Sequence, residues 1–236
     1  MESKPKVDLL ITGASQLLTC VPVSGDLIGR IANGAIAIAG ERIVAVGAAA
    51  EVESRVDAAS ATRIDAAGKI VAPGFVDCHT HLVFGGLRAQ EYAAKMTRTA
   101  AEVQALGIPT GILATVDMTR AESVDSLIAS AADRLKRMVA YGTTTVESKS
   151  GYGLTLPDEL KMLEVNRRLQ ASQPVDVLST FLGAHGFPRD LPPDRYVEIV
   201  INEMIPQVAE NLFPTMTNLP RGYPRSSMSC SIRLRL

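Results

Sequence analysis

Very few side chains in this sequence are equipped for chemistry. There are three histidines, His79, His81 and His185, and two of them stand one residue apart in GFVDCHTHLVFGG, positions 74–86. Side chains two apart on a strand share a face at a spacing of about 7 Å, so His79 and His81 point together, with Asp77 and Phe75 beside them. Two imidazoles on one face reach a single metal ion. Imidazole suits zinc and iron(II), both able to activate water near neutral pH. Alone, the pair is also compatible with ordinary surface or core histidines; the apolar run and the Pro73-Gly74 turn before it favour the metal. Asp77 is either an outer partner of the imidazoles or a structural carboxylate.

The remaining candidates are more ambiguous. His185 closes VDVLSTFLGAH, which puts all three histidines at expected strand ends, although a satisfied core histidine is the ordinary alternative. Tyr152 lies between two glycines in KSGYGL, just past a strand, where a sharp turn brings a phenol over a ligand. A tyrosine in a plain turn fits equally well. Arg88, in FGGLRAQEY, reads by itself as a solvated arginine. Lys149 pairs with Glu147 or orders the mouth of the site.

These residues must be carried by regular elements. The first 70 or so residues read as short strands: VDLLIT, then AIAIAGERIVAVG alternating on both sides of Gly40-Glu41-Arg42 as a hairpin, then TRIDAAGKIVAPG. From Phe75 strands alternate with helices. Residues 119–141 predict the best helix, with Thr119 and Glu122 at capping-box spacing, an apolar stripe at Val124, Leu127, Ile128, Ala131, Leu135 and Met138, and Gly142 as the stop. TTTVES reads as a strand, TLPDELKMLEVNRRLQ as a helix with Pro157 in its first turn, VDVLSTFLGAH as a strand, and RYVEIVINEMI as the start of another helix. This order implies parallel strands with right-handed crossovers, in an α/β barrel or an open α/β sheet. At the C-terminal mouth of a barrel the histidines would lie where such folds place their sites.

Bulk properties narrow the function classes. Of 236 residues 47% are hydrophobic and 21% charged, with net charge -1, as for a globular domain with a sizeable core. Nothing reads as a membrane span or a secretion signal. Three cysteines without metal-type spacing favour a reducing compartment, hence a cytoplasmic location. Near-balanced charge without a basic aromatic patch argues against nucleic acid.

PGFVDCHTHLVFGG resembles the amidohydrolase superfamily. With ILATVDMTRAES, TTVESKSGYGL, ELKMLEV and TFLGAHGFP, in order and at similar spacing from about Val7 to Leu212, the chain resembles more narrowly the imidazolonepropionase family. The resemblance implies the N-terminal part of a (β/α)8 TIM barrel, with about four βα units present, preceded by a small β-sandwich domain. The boundaries would be an incomplete sandwich over 1–72, the N-terminal half of the barrel over 73–212, and an atypical tail over 213–236. It further implies hydrolysis of the ring amide of 4-imidazolone-5-propanoate to N-formimidoyl-L-glutamate, in histidine degradation, by a metal-activated water. By resemblance His79 and His81 are metal ligands of one zinc or iron ion, Arg88 meets the substrate carboxylate, and Tyr152 and His185 bind substrate. His185 has a catalytic role in polarising the carbonyl. Expected partners are the small-molecule substrate, with no nucleic acid and no membrane; the full-length form is compatible with a homodimer.

The likeness also has gaps. A catalytic zinc site needs about three protein ligands, and two are found here; the family's later histidine, aspartate and acid–base group have no counterpart. The proline- and arginine-bearing tail after Leu212 reads as a frame lost from a longer enzyme, against a natural tail on a shorter protein. Ser148 stands where an apolar residue is usual and is expected to weaken one strand's packing, and GIPTGILATV replaces a glycine run. The alternatives are another cyclic amidohydrolase or deaminase, or an inactive fragment whose exposed edges need a partner.

Overall fold

A computed structural model of the chain describes residues 3–212, so the expectations for the tail over 213–236 lie outside the described residues. These residues divide into two compact units, 3–74 and 75–212.

In the first unit, strands β1 (Leu9–Leu18), β2 (Arg30–Ala39) and β3 (Arg42–Ala48) form an antiparallel meander. Helix α1 (Ala49–Arg55) follows, and β4 (Thr62–Asp65) and β5 (Ile70–Val71) return parallel to β1. The hairpin expected at Gly40-Glu41-Arg42 is present. Ala39 pairs with Arg42, and Gly40 takes φ +59°, a conformation that suits a residue without Cβ.

The AIAIA run explains how both faces of β2 are covered. Ala35 and Ala37, with Ala45, clear room for Val52 and Val56 at α1, while Ile36 and Ile38 turn to the opposite face and join Ile11, Leu17 and Ile31. The result is a single five-stranded mixed sheet with α1 on one side. A second sheet, which a sandwich requires, is not among the described residues of this unit. Alternation announces a strand but does not say whether a sheet or a helix will cover it.

The second unit begins with β6 (Phe75–Thr80), followed by α2 (Ala89–Thr97), α3 (Ala100–Ala105), α4 (Gly111–Ala121) and α5 (Val124–Ala140). Then come β7 (Thr143–Lys149), α6 (Leu156–Ser172), β8 (Asp176–Thr180), α7 (Pro193–Ile199) and α8 (Ile205–Leu212). The strands are parallel in the order β6-β7-β8, with helices in every crossover, as the alternation predicts. The stripe on α5 is buried: Leu127, Ala131 and Leu135 pack with Val146 of β7, Val177 of β8, and Met162, Val165 and Leu169 of α6.

The start of that helix differs from the sequence reading. Ser123 is its cap, accepting from the amide of Ser126 at 3.1 Å. Thr119 belongs to α4 and is fully buried, its hydroxyl donating to the carbonyl of Thr115 at 2.7 Å. Two helices meeting at Glu122-Ser123 keep nearly the same apolar period, and so they read as one. Gly142 does stop α5, at φ +91°. Thr155 caps α6 with Pro157 in its first turn. A π-helical stretch, Val200–Met204, joins α7 to α8 just before Pro206, which has no N–H to donate.

Ser148 does not loosen its strand. Fully buried, it donates from Oγ to Asn166 Oδ1 at 2.7 Å, and Asn166 Nδ2 donates to the Ser148 carbonyl at 3.2 Å. The strand is stitched to α6. No helix among the described residues is long and apolar enough to cross a membrane.

Candidate active site

The site grows from the C-terminal ends of the three parallel strands. At the end of β6 the Thr80 hydroxyl donates to the Glu147 carbonyl of β7 at 2.6 Å. His79 lies on the strand and His81 one residue beyond it, just before buried Leu82 and Val83. Their ring centroids are 6.3 Å apart, close to the spacing expected of an i, i+2 pair. Asp77 accepts from the main-chain N–H of His79 at 3.3 Å, so it orders the strand end and not an imidazole. Lys149 donates to Glu147, which also receives the Thr180 hydroxyl at 2.7 Å.

His185 is not at a strand end. β8 stops at Thr180, and His185 sits on a 3₁₀ turn, Gly183–His185, that folds it back. Phe181 and Leu182 prolong the apolar texture past Thr180, and only Gly183 breaks it, so the sequence reading carried the strand too far. The turn still delivers the imidazole to the site. His81 lies 4.4 Å from His185 and 4.8 Å from Tyr152, and Tyr152 lies 5.4 Å from His185, all between ring centroids. Gly151 permits this approach: it takes φ +112°, and a Cβ there would stand 2.6 Å from the Cβ of His185.

Beside these rings is a cleft of about 250 Å³, lined by His81, Phe84, Arg88, Thr115, Met118, Tyr152 and the Gly85-Gly86 backbone. The paired glycines are a packing necessity, since a Cβ at Gly85 would meet the Met118 carbonyl at 2.5 Å. Thr119 receives the Gly85 N–H at 3.0 Å, its true task. Arg134 of α5 lies over the Phe84 ring, 3.5 Å from its centroid, and donates to the carbonyls of Leu82 and Phe84. Arg88 is not a free surface arginine. Its guanidinium holds Glu91, a carboxylate only 3% exposed, at 2.8 Å.

Electrostatics favour uncharged rings. Burial first, and then the neighbouring His185 and His79, push the His81 imidazole down to about 4. Burial likewise lowers His185 and raises Tyr152, the latter tempered by Arg88. A neutral imidazole is the form that binds a metal. The Nδ1 of His81 is buried and, among the described residues, has no hydrogen-bond partner, unusual for a polar atom in a folded core. That orphaned nitrogen, with His79 next to it, fits a metal. Among the described residues, however, no three His, Cys, Asp or Glu side chains gather at one point, so the fit covers two ligands.

The structure thus brings together His79, His81, Tyr152 and His185, with Arg88 on the adjoining cleft. Sequence reasoning missed Glu91, Arg134 and Glu159 and gave Thr119 another task. Thr119 and Arg134 join segments far apart in the chain, Glu91 binds Arg88 and Lys95 nearby and the Gly111 amide beyond, and Glu159 acts across a folded loop. Glu159, in the first turn of α6, was the most findable, because an acid there can reach back to a preceding glycine loop.

Residues 62–106 match the Amidohydrolase family. Over 205 residues the chain is 43% identical to a protein of Halobacterium salinarum named imidazolonepropionase, covering 86% of this chain and 49% of that one. A protein of the same name from Symbiobacterium thermophilum is 46% identical over 212 residues, again 86% and 49%. Among solved structures, guanine deaminase of E. coli is similar in fold, with TM-score 0.51 and 13% identity over 82% of this chain and 42% of that one. The chain spans about half the length of the curated relatives it matches.

Proposed function

The chain belongs to the amidohydrolase superfamily, and on that premise we propose that it carries the substrate and first metal-ligand portion of an imidazolonepropionase. The reaction is hydrolysis of the ring amide of 4-imidazolone-5-propanoate to N-formimidoyl-L-glutamate. One observation carries this reading. The rings of His81, Tyr152 and His185 lie within 4.4 to 5.4 Å of one another beside a cleft bearing Arg88, and a buried nitrogen of His81 has no partner among the described residues.

In this reading His79 and His81 hold one divalent ion, zinc or iron. Such an ion, when bound, supplies Lewis acidity and ionises water near neutral pH. Arg88 receives the propanoate carboxylate, its planar fork matching two oxygens, with Glu91 keeping one edge of the guanidinium engaged. Burial keeps the Tyr152 phenol protonated as a donor over the ring. His185 faces the ring carbonyl and polarises it. Phe84 supports one wall of the cleft. The remaining ligands and the acid–base group belong to the part of the relatives' length that this chain does not span. The three parallel strands and their helices are then a portion of a (β/α)8 barrel, and the N-terminal sheet a portion of a sandwich. A cytoplasmic location belongs to the same reading.

Calorimetric titration with zinc and iron(II), alongside an assay for N-formimidoyl-L-glutamate, tests the reading. Stoichiometric binding at micromolar metal, lost in both His79→Ala and His81→Ala, is expected. Binding untouched by either substitution would overturn it.

A further inference from the structure

We infer that Glu159 is the positioning residue of the candidate site: its buried carboxylate clamps the glycine loop that presents Tyr152 to His81 and His185. The inference rests on the reading of Tyr152 as a substrate-facing group, but its test does not.

Glu159 is fully buried. One carboxylate oxygen accepts the N–H of Gly151 at 2.9 Å, and the other accepts those of Gly153 and Leu154, each at 2.8 Å. The three amides stand on both sides of Tyr152, so the backbone at the tyrosine is tied before and after it. A carboxylate suits this cradle because it accepts only and offers two oxygens. A glutamine amide has one acceptor and would bring N–H groups against N–H groups.

The loop needs such a tie. Gly151 takes φ +112° and Leu154 φ +52°, the latter a left-handed conformation that an L side chain adopts at a cost. A Cβ at Gly153 would meet the Glu159 nitrogen at 2.5 Å, so the loop can lie this close only with glycine there. A second tie acts from the strand side: Ser150 donates its N–H to the Thr180 carbonyl, and its hydroxyl accepts from Leu182. The spacing G-Y-G-L followed by Glu159 in the first turn of α6 is therefore one device. The helix supplies the carboxylate that shapes the loop preceding it.

The test uses the chain labelled with 3-fluorotyrosine, which has five tyrosines, with Tyr152→Phe assigning the Tyr152 line in fluorine NMR. In Glu159→Gln, with helical circular dichroism retained, the Tyr152 line should move toward free tyrosine and broaden. Exchange of the Gly151, Gly153 and Leu154 amides should quicken by about tenfold or more, as expected on losing a charge-assisted hydrogen bond. Glu164→Gln is the control in the same helix, since Glu164 bonds Arg167 and Arg168 instead; it should leave the Tyr152 line in place. An unmoved line and unchanged exchange in Glu159→Gln, or an equal response in Glu164→Gln, would overturn the clamp. Should Glu159→Gln not fold, the unaltered chain decides: the three amides exchange as a group, at least about tenfold slower than open amides, or the inference fails. None of these readouts needs metal or turnover, so loss of the hydrolase reading and loss of the clamp are separable.

Discussion

The Ser148–Asn166 pair allows a quantitative test of how β7 is held to α6, the helix that carries Glu159. Both side chains are completely buried, linked Oγ to Oδ1 at 2.7 Å and Nδ2 to the Ser148 carbonyl at 3.2 Å. Ser148→Ala removes little volume but leaves the Asn166 oxygen buried without its donor, a cost of about 1–3 kcal/mol. Asn166→Leu keeps the branched heavy-atom shape and leaves the serine hydroxyl stranded, with a similar cost of about 2 kcal/mol. In the double variant neither partner is orphaned, since both polar groups of the pair are gone. Its destabilisation should fall short of the summed singles by about 1–2 kcal/mol, a coupling typical of residues in one buried network. Urea denaturation followed at the helical circular dichroism band, with unchanged m-values, supplies the four free energies of the cycle. Additivity within about 0.5 kcal/mol would refute the stitch and restore the view of Ser148 as a packing defect.

Three further outcomes follow from the site. Hydrogen bonds from Lys95, then from the Gly111 amide, and then from Arg88 hold the Glu91 carboxyl down, from the usual 4.5 to about 2. A depressed carboxyl contributes its stability above the unfolded value and loses it as pH falls. The melting-temperature gap between the unaltered chain and Glu91→Gln should therefore be flat from pH 6 to 8 and shrink between about pH 5 and pH 2; a constant gap would count against the pairing. Arg88→Lys replaces a fork with a point charge and should weaken binding of imidazole-4-propanoate by about tenfold, measured by calorimetry in the presence of zinc, while Tm stays within a few degrees. Gly151→Ala places a Cβ 2.6 Å from that of His185 at φ +112°. It should cost about 1–3 kcal/mol and shift the His185 ring proton in NMR; an undisturbed His185 signal would mean the loop and the turn do not touch in solution.

Several expectations succeeded or failed for identifiable reasons. The hairpin at Gly40, the parallel order of the strands and the stripe on α5 were legible, because each is a local period closed by local turn chemistry. The Thr119 cap failed because capping-box spacing recurs by chance inside helices, and only burial shows that Thr119 serves Gly85 instead. His185 was placed on the wrong element, since the sequence does not show where extended backbone gives way to a 3₁₀ turn.

By itself, then, the sequence announced the main strands and helices and put His79 and His81 on one face, because period and spacing are written along the chain; Arg88, Tyr152 and His185 became candidates through family resemblance. Tertiary structure alone decided that His81 would meet His185 and Tyr152, that Glu91 would reach the Gly111 amide, and that Thr119 would receive the Gly85 amide. The physical reason is that burial and the pairing of polar groups depend on neighbours brought together by packing, and a buried charge finds its partners only when the surrounding segments have closed over it.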